Sequence, residues 1–244
     1  MRRLILALLL LIAAPVAAQE AVTFLAADGI VVHADRYPHE GNRARGVILL
    51  FHQAGGNAGE YREIAPRLAA LEFDSLAVDQ RMGGSMFGQP NRTMAGLTGP
   101  VMSFDAVLPD LAAALAFAQV TWPGEPVLLW GSSYSADLVV ALAADQPEGV
   151  EAVLAFSPVG LLRDRDLLDL ATQVRAPVFI TYASADNERD LAEALTHALP
   201  QGLATLDAPA PGTHGSGTLS PDLNSAGWDA EWAAVEAFLN RVAP

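Results

Sequence analysis

Cysteine and lysine are both missing from the 244 residues. Without cysteine the chain has no disulfide, thiolate metal site, iron–sulfur cluster, cysteine nucleophile or lipidated cysteine. Without lysine its cations are arginines, and 14 of them face 28 aspartates and glutamates, a formal charge of −14. That sign opposes binding to phosphate backbones and anionic lipid, so nucleic acid is excluded and a small neutral or cationic partner fits better. A membrane-length apolar run is also missing. Leu4–Ala14 is uninterrupted, but far shorter than the roughly 20 residues that span a bilayer. Arg2 and Arg3 precede it and Pro15-Val16-Ala17-Ala18 follows, the pattern of a secretory signal peptide with cleavage expected after Ala18. Its removal takes the formal charge from −14 to −16 and leaves residues 19–244, expected as one domain without a membrane span, in the periplasm or secreted.

What is present is plentiful apolar sequence, 52% of residues, arranged as short runs alternating with amphipathic segments. Val22–Ala26 and Ile30–Arg36 flank the turn signal Ala27-Asp28-Gly29 and read as an antiparallel hairpin. Val47–Phe51, Ser75–Val78, Val127–Trp130, Ala152–Phe156, Val178–Tyr182 and Leu203–Leu206 read as buried parallel strands. Helical periodicity falls in Glu60–Leu71, Ser103–Gln119 with Ser103 as its cap, Ala136–Ala144, Glu188–Leu199 and Trp228–Val242. Parallel strands joined by right-handed helical crossovers predict an α/β, three-layer α/β/α sandwich of about eight mostly parallel strands. The glycine-rich stretch Arg81–Pro100 reads as a long loop or flap, and Pro158–Ala176 leaves no room for a large cap.

The chemistry centres on Gly131-Ser132-Ser133-Tyr134-Ser135, placed between an apolar strand and a helix. Small residues two positions either side of Ser133 permit the sharp, strained turn that lifts a nucleophilic hydroxyl above a sheet. A serine needs a base, and the base needs an orienting carboxylate. His214, in a glycine-rich loop after the last strand, is the candidate base; Asp186, in the loop after Val178–Tyr182, is the candidate acid, with Glu188 in reserve. His33, His39 and His197 fall in the opening hairpin region or a helix, away from strand exits. His52-Gln53-Ala54-Gly55-Gly56 follows a strand and suits an oxyanion hole, with the backbone N–H groups of Gln53 and Tyr134 as its donors. His52, Met82, Met86 and Phe87 are candidate substrate-binding residues. No His-x-x-x-His pair suggests a metal, and no Gly-x-Gly-x-x-Gly follows the opening strand, so neither metal nor organic cofactor is expected.

Together these segments resemble the α/β-hydrolase family, and within it the small, lidless serine esterases of the dienelactone-hydrolase-like group, over nearly all of residues 19–244. The resemblance implies Ser133 as nucleophile, Asp186 as acid after the seventh strand, His214 as base after the eighth, and an oxyanion loop at His52–Gly56. It also implies that Asp79 and Arg81, at the exit of the fourth strand, hold the loop rather than react. Three positions depart from the family pattern: Ser135 replaces the last glycine of the elbow, Gln53 replaces a glycine, and the cysteine nucleophile of dienelactone hydrolases proper is missing. The expected activity is hydrolysis of small carboxylic esters. The alternatives are a serine peptidase or amidase acting on short peptides, and a catalytically silent binding protein on the same fold.

Overall fold

The computed structural model describes residues 19–184, 186–208 and 211–244, with the Asp186 side chain outside that description; the expected signal peptide, residues 1–18, lies outside the described residues. The chain opens with β1 (Glu20–Leu25) and β2 (Val31–Tyr37), paired antiparallel. Their connection closes because Gly29 takes φ 82°, and the Ala26 N–H reaches the Ile30 carbonyl at 2.9 Å. Six strands follow: β3 (Gly46–Phe51), β4 (Phe73–Asp79), β5 (Val127–Ser132), β6 (Ala152–Phe156), β7 (Val178–Thr181) and β8 (Ala204–Leu206). They form one sheet in the order β1-β2-β4-β3-β5-β6-β7-β8, antiparallel through β4 and parallel from β4 to β8.

The unbroken apolar runs follow from burial on both faces. In β3, Val47, Leu49 and Phe51 join one core with α2 (Leu108–Thr121), α3 (Tyr134–Asp145) and α5 (Asp186–Ala198), while Ile48 and Leu50 join the other with α1 (Ile64–Ala70) and α6 (Trp228–Val242). Only α4 (Leu167–Ala171) interrupts the connection from β6 to β7. Two helix boundaries differ from the sequence expectation. Ser103 makes no side-chain cap: Phe104–Val107 is a 3₁₀ turn, and α2 begins beside Pro109, where a missing N–H costs nothing. The segment expected as one helix from Glu60 splits, because Asn57 Oδ1 accepts the Gly59 N–H and caps a separate turn, Ala58–Tyr61.

The flap after β4 is tied down by charge. Arg92 Nε meets Asp79 Oδ2 at 2.6 Å and its Nη1 meets Asp35 Oδ1 at 2.8 Å. Arg81 bridges buried Asp110 and Asp28, at 2.6 and 2.5 Å. Asp79 and Arg81 are thus held in ion pairs at the base of the flap, where a buried charge is tolerated because it is paired.

A second carboxyl pair lies where α6 meets the end of β8. Burial, and then the charge of Asp207, push Glu231 from an ordinary 4.5 up to about 8. The folded state therefore holds a proton that the unfolded chain releases, so stability should decline as pH rises from about 4.5 to about 8. In urea unfolding followed from about pH 5 to about pH 9, the parent midpoint is expected to fall steadily and that of Glu231→Gln to fall much less. Parallel slopes in both proteins would remove Glu231 as the cause.

Candidate active site

Ser133 stands between β5 and α3 with φ 60° and ψ −127°, a left-handed conformation rare for a residue with a side chain. The turn closes only because Gly131 has none: a Cβ there would lie 2.1 Å from the Ser135 carbonyl oxygen. Ser135, which departs from the family glycine, fits without crowding, since its hydroxyl donates to the His52 carbonyl at 2.7 Å and accepts from Gln80 Nε2 at 2.7 Å.

His214 lies 2.8 Å from Ser133, Nε2 to Oγ. Its loop is pinned to the elbow by three further bonds: Gly215 N–H to Ser157 Oγ at 2.9 Å, Ser216 N–H to Ser132 Oγ at 2.9 Å, and Trp130 Nε1 to Ser216 Oγ at 2.9 Å. The other ring nitrogen, Nδ1, faces Glu188 Oε1 at 2.9 Å. A carboxylate only accepts, so the neutral ring carries its proton on Nδ1 and offers the Nε2 lone pair to the Ser133 hydroxyl.

Among the described side chains the carboxylate on His214 is Glu188, the reserve in the sequence reading; the favoured Asp186 opens α5 with its backbone, and its side chain lies outside the described residues. The reason is where the helix starts. From the first turn of α5, Glu188 folds back so that its other oxygen accepts the Ala183 N–H at 2.8 Å. Burial tends to raise its pKa, but the Ala183 N–H, His214 and Ser157 outweigh that and hold Glu188 below the usual glutamate value, so it stays ionised.

The oxyanion expectation also needs correction at one donor. The Gln53 N–H is already engaged, donating to Glu60 Oε2 at 2.8 Å. The next amide, Ala54 N–H, and the Tyr134 N–H at the first position of α3 make no hydrogen bond among the described residues. A helix leaves its first N–H groups unpaired, so Tyr134 is free by construction. His52, a candidate for substrate binding, is fully buried. Its Nδ1 donates to the Gln53 carbonyl at 2.8 Å and its Nε2 accepts from Asn91 Nδ2 at 3.1 Å, so it braces the loop. Burial lowers its pKa and keeps it neutral.

Beside His214 opens a cavity of about 340 Å³, lined among others by Phe87, Leu219, Trp228, Trp232 and Glu60. Of the expected flap residues Phe87 reaches this cavity, whereas Met82 packs against the core and Met86 is exposed. Among the described residues no three His, Asp or Glu side chains converge as a metal site would require. Ala54 and Glu60 were not legible in the sequence: one is an ordinary alanine, the other one of many acids on a helical pattern.

Solved structures share this chain's fold at low identity. Est1E from Butyrivibrio proteoclasticus, described with ferulic acid bound, superposes with a TM-score of 0.72 at 14% identity, covering 91% of this chain and 99% of that one. Dienelactone hydrolase from Anabaena variabilis gives 0.71 at 16% identity over 93% and 99%. In sequence, human monoglyceride lipase is 27% identical over 126 residues, 52% of this chain and 39% of the lipase, so the chain matches well under half of that relative's length. The serine aminopeptidase, S33 family profile matches residues 42–198, a span that includes the elbow and Glu188. With eight strands in the order that places Ser133, Glu188 and His214 at neighbouring strand exits, and with that profile matched over more than half its length, the chain belongs to the serine aminopeptidase, S33 family of α/β-hydrolases.

Proposed function

We propose that the protein is an exported serine esterase that cleaves small, uncharged carboxylic esters through an acyl-enzyme on Ser133. The reading is carried by the linear array Ser133–His214–Glu188, with its 2.8 and 2.9 Å hydrogen bonds. In the first half-reaction the Ser133 hydroxyl oxygen bonds to the substrate carbonyl carbon while its proton passes to His214 Nε2. The carbonyl oxygen becomes an oxyanion between the N–H groups of Ala54 and Tyr134, each donor contributing about 3–4 kcal/mol of barrier lowering. His214 then returns that proton to the departing alkoxide oxygen as the ester C–O bond breaks. Water repeats the sequence in reverse: its proton goes to His214, its oxygen to the acyl carbon, and Ser133 leaves with the proton restored. Glu188 stays ionised throughout and stabilises the imidazolium. No step calls for a metal or organic cofactor.

The cavity's aromatic and aliphatic walls, beside the two carboxyls Glu60 and Glu63 and the two guanidiniums of Arg62 and Arg67, support an uncharged leaving group, and the chain's surplus of acids disfavours anionic esters. Export rests on the amino-terminal Arg2–Ala18 pattern alone.

The test is hydrolysis of p-nitrophenyl esters from acetate to octanoate by residues 19–244, alongside Ser133→Ala and with a fluorophosphonate probe. Turnover on short esters that drops at least about 10⁴-fold in the variant is expected, with one probe bound per parent chain and none on the variant. Aminoacyl p-nitroanilides belong in the same plate, because the family's description as aminopeptidases supports cleavage of peptides by the same array. Turnover of anilides in place of esters would replace the esterase reading with that one, and a folded protein that neither turns over nor labels would leave a silent binding protein.

A further inference from the structure

Glu60 has no part in the array of Ser133, His214 and Glu188, yet it is a half-buried carboxyl on the cavity wall whose Oε1 is buried and lacks any hydrogen-bond partner among the described residues. A glutamate in such a place costs stability unless it does something else. Its other oxygen accepts the Gln53 N–H at 2.8 Å, one residue before the unpaired Ala54 N–H. It also interacts with the Ser132 hydroxyl, the neighbour of the nucleophile. Ser132 Oγ in turn accepts the Ser216 N–H at 2.9 Å, two residues beyond the base. One carboxyl thus touches or adjoins the three segments that carry oxyanion donor, nucleophile and histidine.

We propose that Glu60 is a positioning residue for the ester hydrolysis inferred above, holding the Gln53 amide so that the Ala54 N–H points at the developing oxyanion. The inference rests on that reading of the site. The turn Gln53–Gly56 is otherwise closed by its own bonds, Gly56 N–H to the Gln53 carbonyl at 2.9 Å and Gly55 N–H to the Met82 carbonyl at 3.2 Å. The Gln53 carbonyl, which shares its peptide with the Ala54 N–H, accepts from the Gly56 N–H and from His52 Nδ1 at 2.8 Å, and Glu60 fixes the amide one peptide earlier, so both peptides leading to the donor are held. Without an acceptor at Glu60, the Gln53 N–H would be unpaired, and the His52–Gln53 peptide could turn toward another partner and tilt the following peptide, which carries the oxyanion donor. The second consequence is electrical. An ionised Glu60 sets a negative charge on the amide next to the oxyanion donor, so its ionisation opposes the transition state.

The groups facing Glu60 leave its titration visible. Tyr61 and Tyr134 interact with it and are both held protonated well above neutrality by burial. His52, on the same loop, is kept neutral by burial. Glu63, Arg62, Arg67 and His214 share the cavity wall. Burial pushes Glu60 itself up to about 7.

Three proteins decide the matter: the parent, Glu60→Ala and Glu60→Gln, each checked for fold by circular dichroism and each assayed for kcat and KM on p-nitrophenyl acetate across pH. Fluorophosphonate labelling of Ser133 in the parent certifies the esterase reading independently of Glu60, and its failure overturns reading and inference together. With labelling in hand, Glu60→Ala is expected to lose about 100-fold in kcat with KM changed less than about threefold. Glu60→Gln, whose amide oxygen still accepts the Gln53 N–H, should recover kcat to within about fivefold of the parent. The parent kcat profile should sag on the alkaline side as Glu60 ionises, and that sag should vanish in Glu60→Gln. A folded Glu60→Ala with parent kcat overturns the inference while the esterase reading stands. If Glu60→Ala does not fold, the Glu60→Gln profile decides alone, and an alkaline sag identical to the parent's overturns it.

Discussion

Replacing His214 by alanine is expected to lower kcat/KM for a short p-nitrophenyl ester by about 10⁴-fold or more, and Glu188→Gln by about 10³–10⁴-fold, whereas Asp186→Asn should stay within about tenfold of the parent. The ordering follows from who touches the imidazole. Loss of the ring removes the acceptor 2.8 Å from Ser133 Oγ, and with it both proton transfers. Glu188→Gln leaves the ring in place but offers Nδ1 an amide whose nitrogen can only donate, so the proton can settle on Nε2 and the lone pair facing Ser133 is lost. The effects of the two changes should not add: a His214→Ala, Glu188→Gln double variant should be about as inactive as His214→Ala alone, because both disable one unit. The measurement is single-substrate kinetics on the parent and these four variants. A Glu188→Gln protein as active as the parent, next to a crippled Asp186→Asn, would return the orienting role to the aspartate favoured by sequence position.

Gly131→Ala carries the largest structural effect. Its Cβ would fall 2.1 Å from the Ser135 carbonyl oxygen and 2.7 Å from the Ala136 nitrogen, all backbone atoms of the first turn of α3. No side-chain rotation relieves such a clash. Either α3 moves off the end of β5 or the elbow unwinds, and both disturb a junction where Leu128, Trp130, Leu138 and Val139 are completely buried. A backbone collision at a fully buried junction belongs to the class of single changes that cost more than about 4 kcal/mol. Urea unfolding should show a midpoint far below the parent's, or no cooperative transition at all, and any folded remnant should resist fluorophosphonate labelling because Ser133 no longer stands above the sheet. A midpoint within about 1 kcal/mol of the parent's would mean that the elbow tolerates a side chain on its strand side.

Much of the architecture could be read from the chain because its signals are local. Runs such as Val47–Phe51 and Val127–Trp130 are apolar on both faces, which only a sheet covered on both sides accommodates, and the structure finds them adjacent and parallel. Gly131 and Ser135, spaced around Ser133, announce the elbow, since only small residues allow that turn. The flap Arg81–Pro100 shows itself by glycine content and lack of period, and the structure gives it a single 3₁₀ turn, Met94–Gly96.

What the chain did not disclose depends on partners distant in sequence. Glu188 is one of several acids near the exit of β7, and its contact with His214 turns on where α5 begins and on the Ala183 amide that draws it back. Gln53 and Ala54 are neighbours, and which N–H is spent internally is settled by Glu60, seven residues on and folded beneath the loop. His52 looked like a site residue because it follows a strand, but Asn91 from the flap closes over its ring. Strand identity, the position of the nucleophile and the histidine loop were therefore determined by the sequence itself, through periodicity and turn chemistry that act over a few residues. The choice of acid, of oxyanion donor and of cavity lining was decided only by tertiary structure, because each depends on a hydrogen bond or packing contact whose two ends no local pattern links.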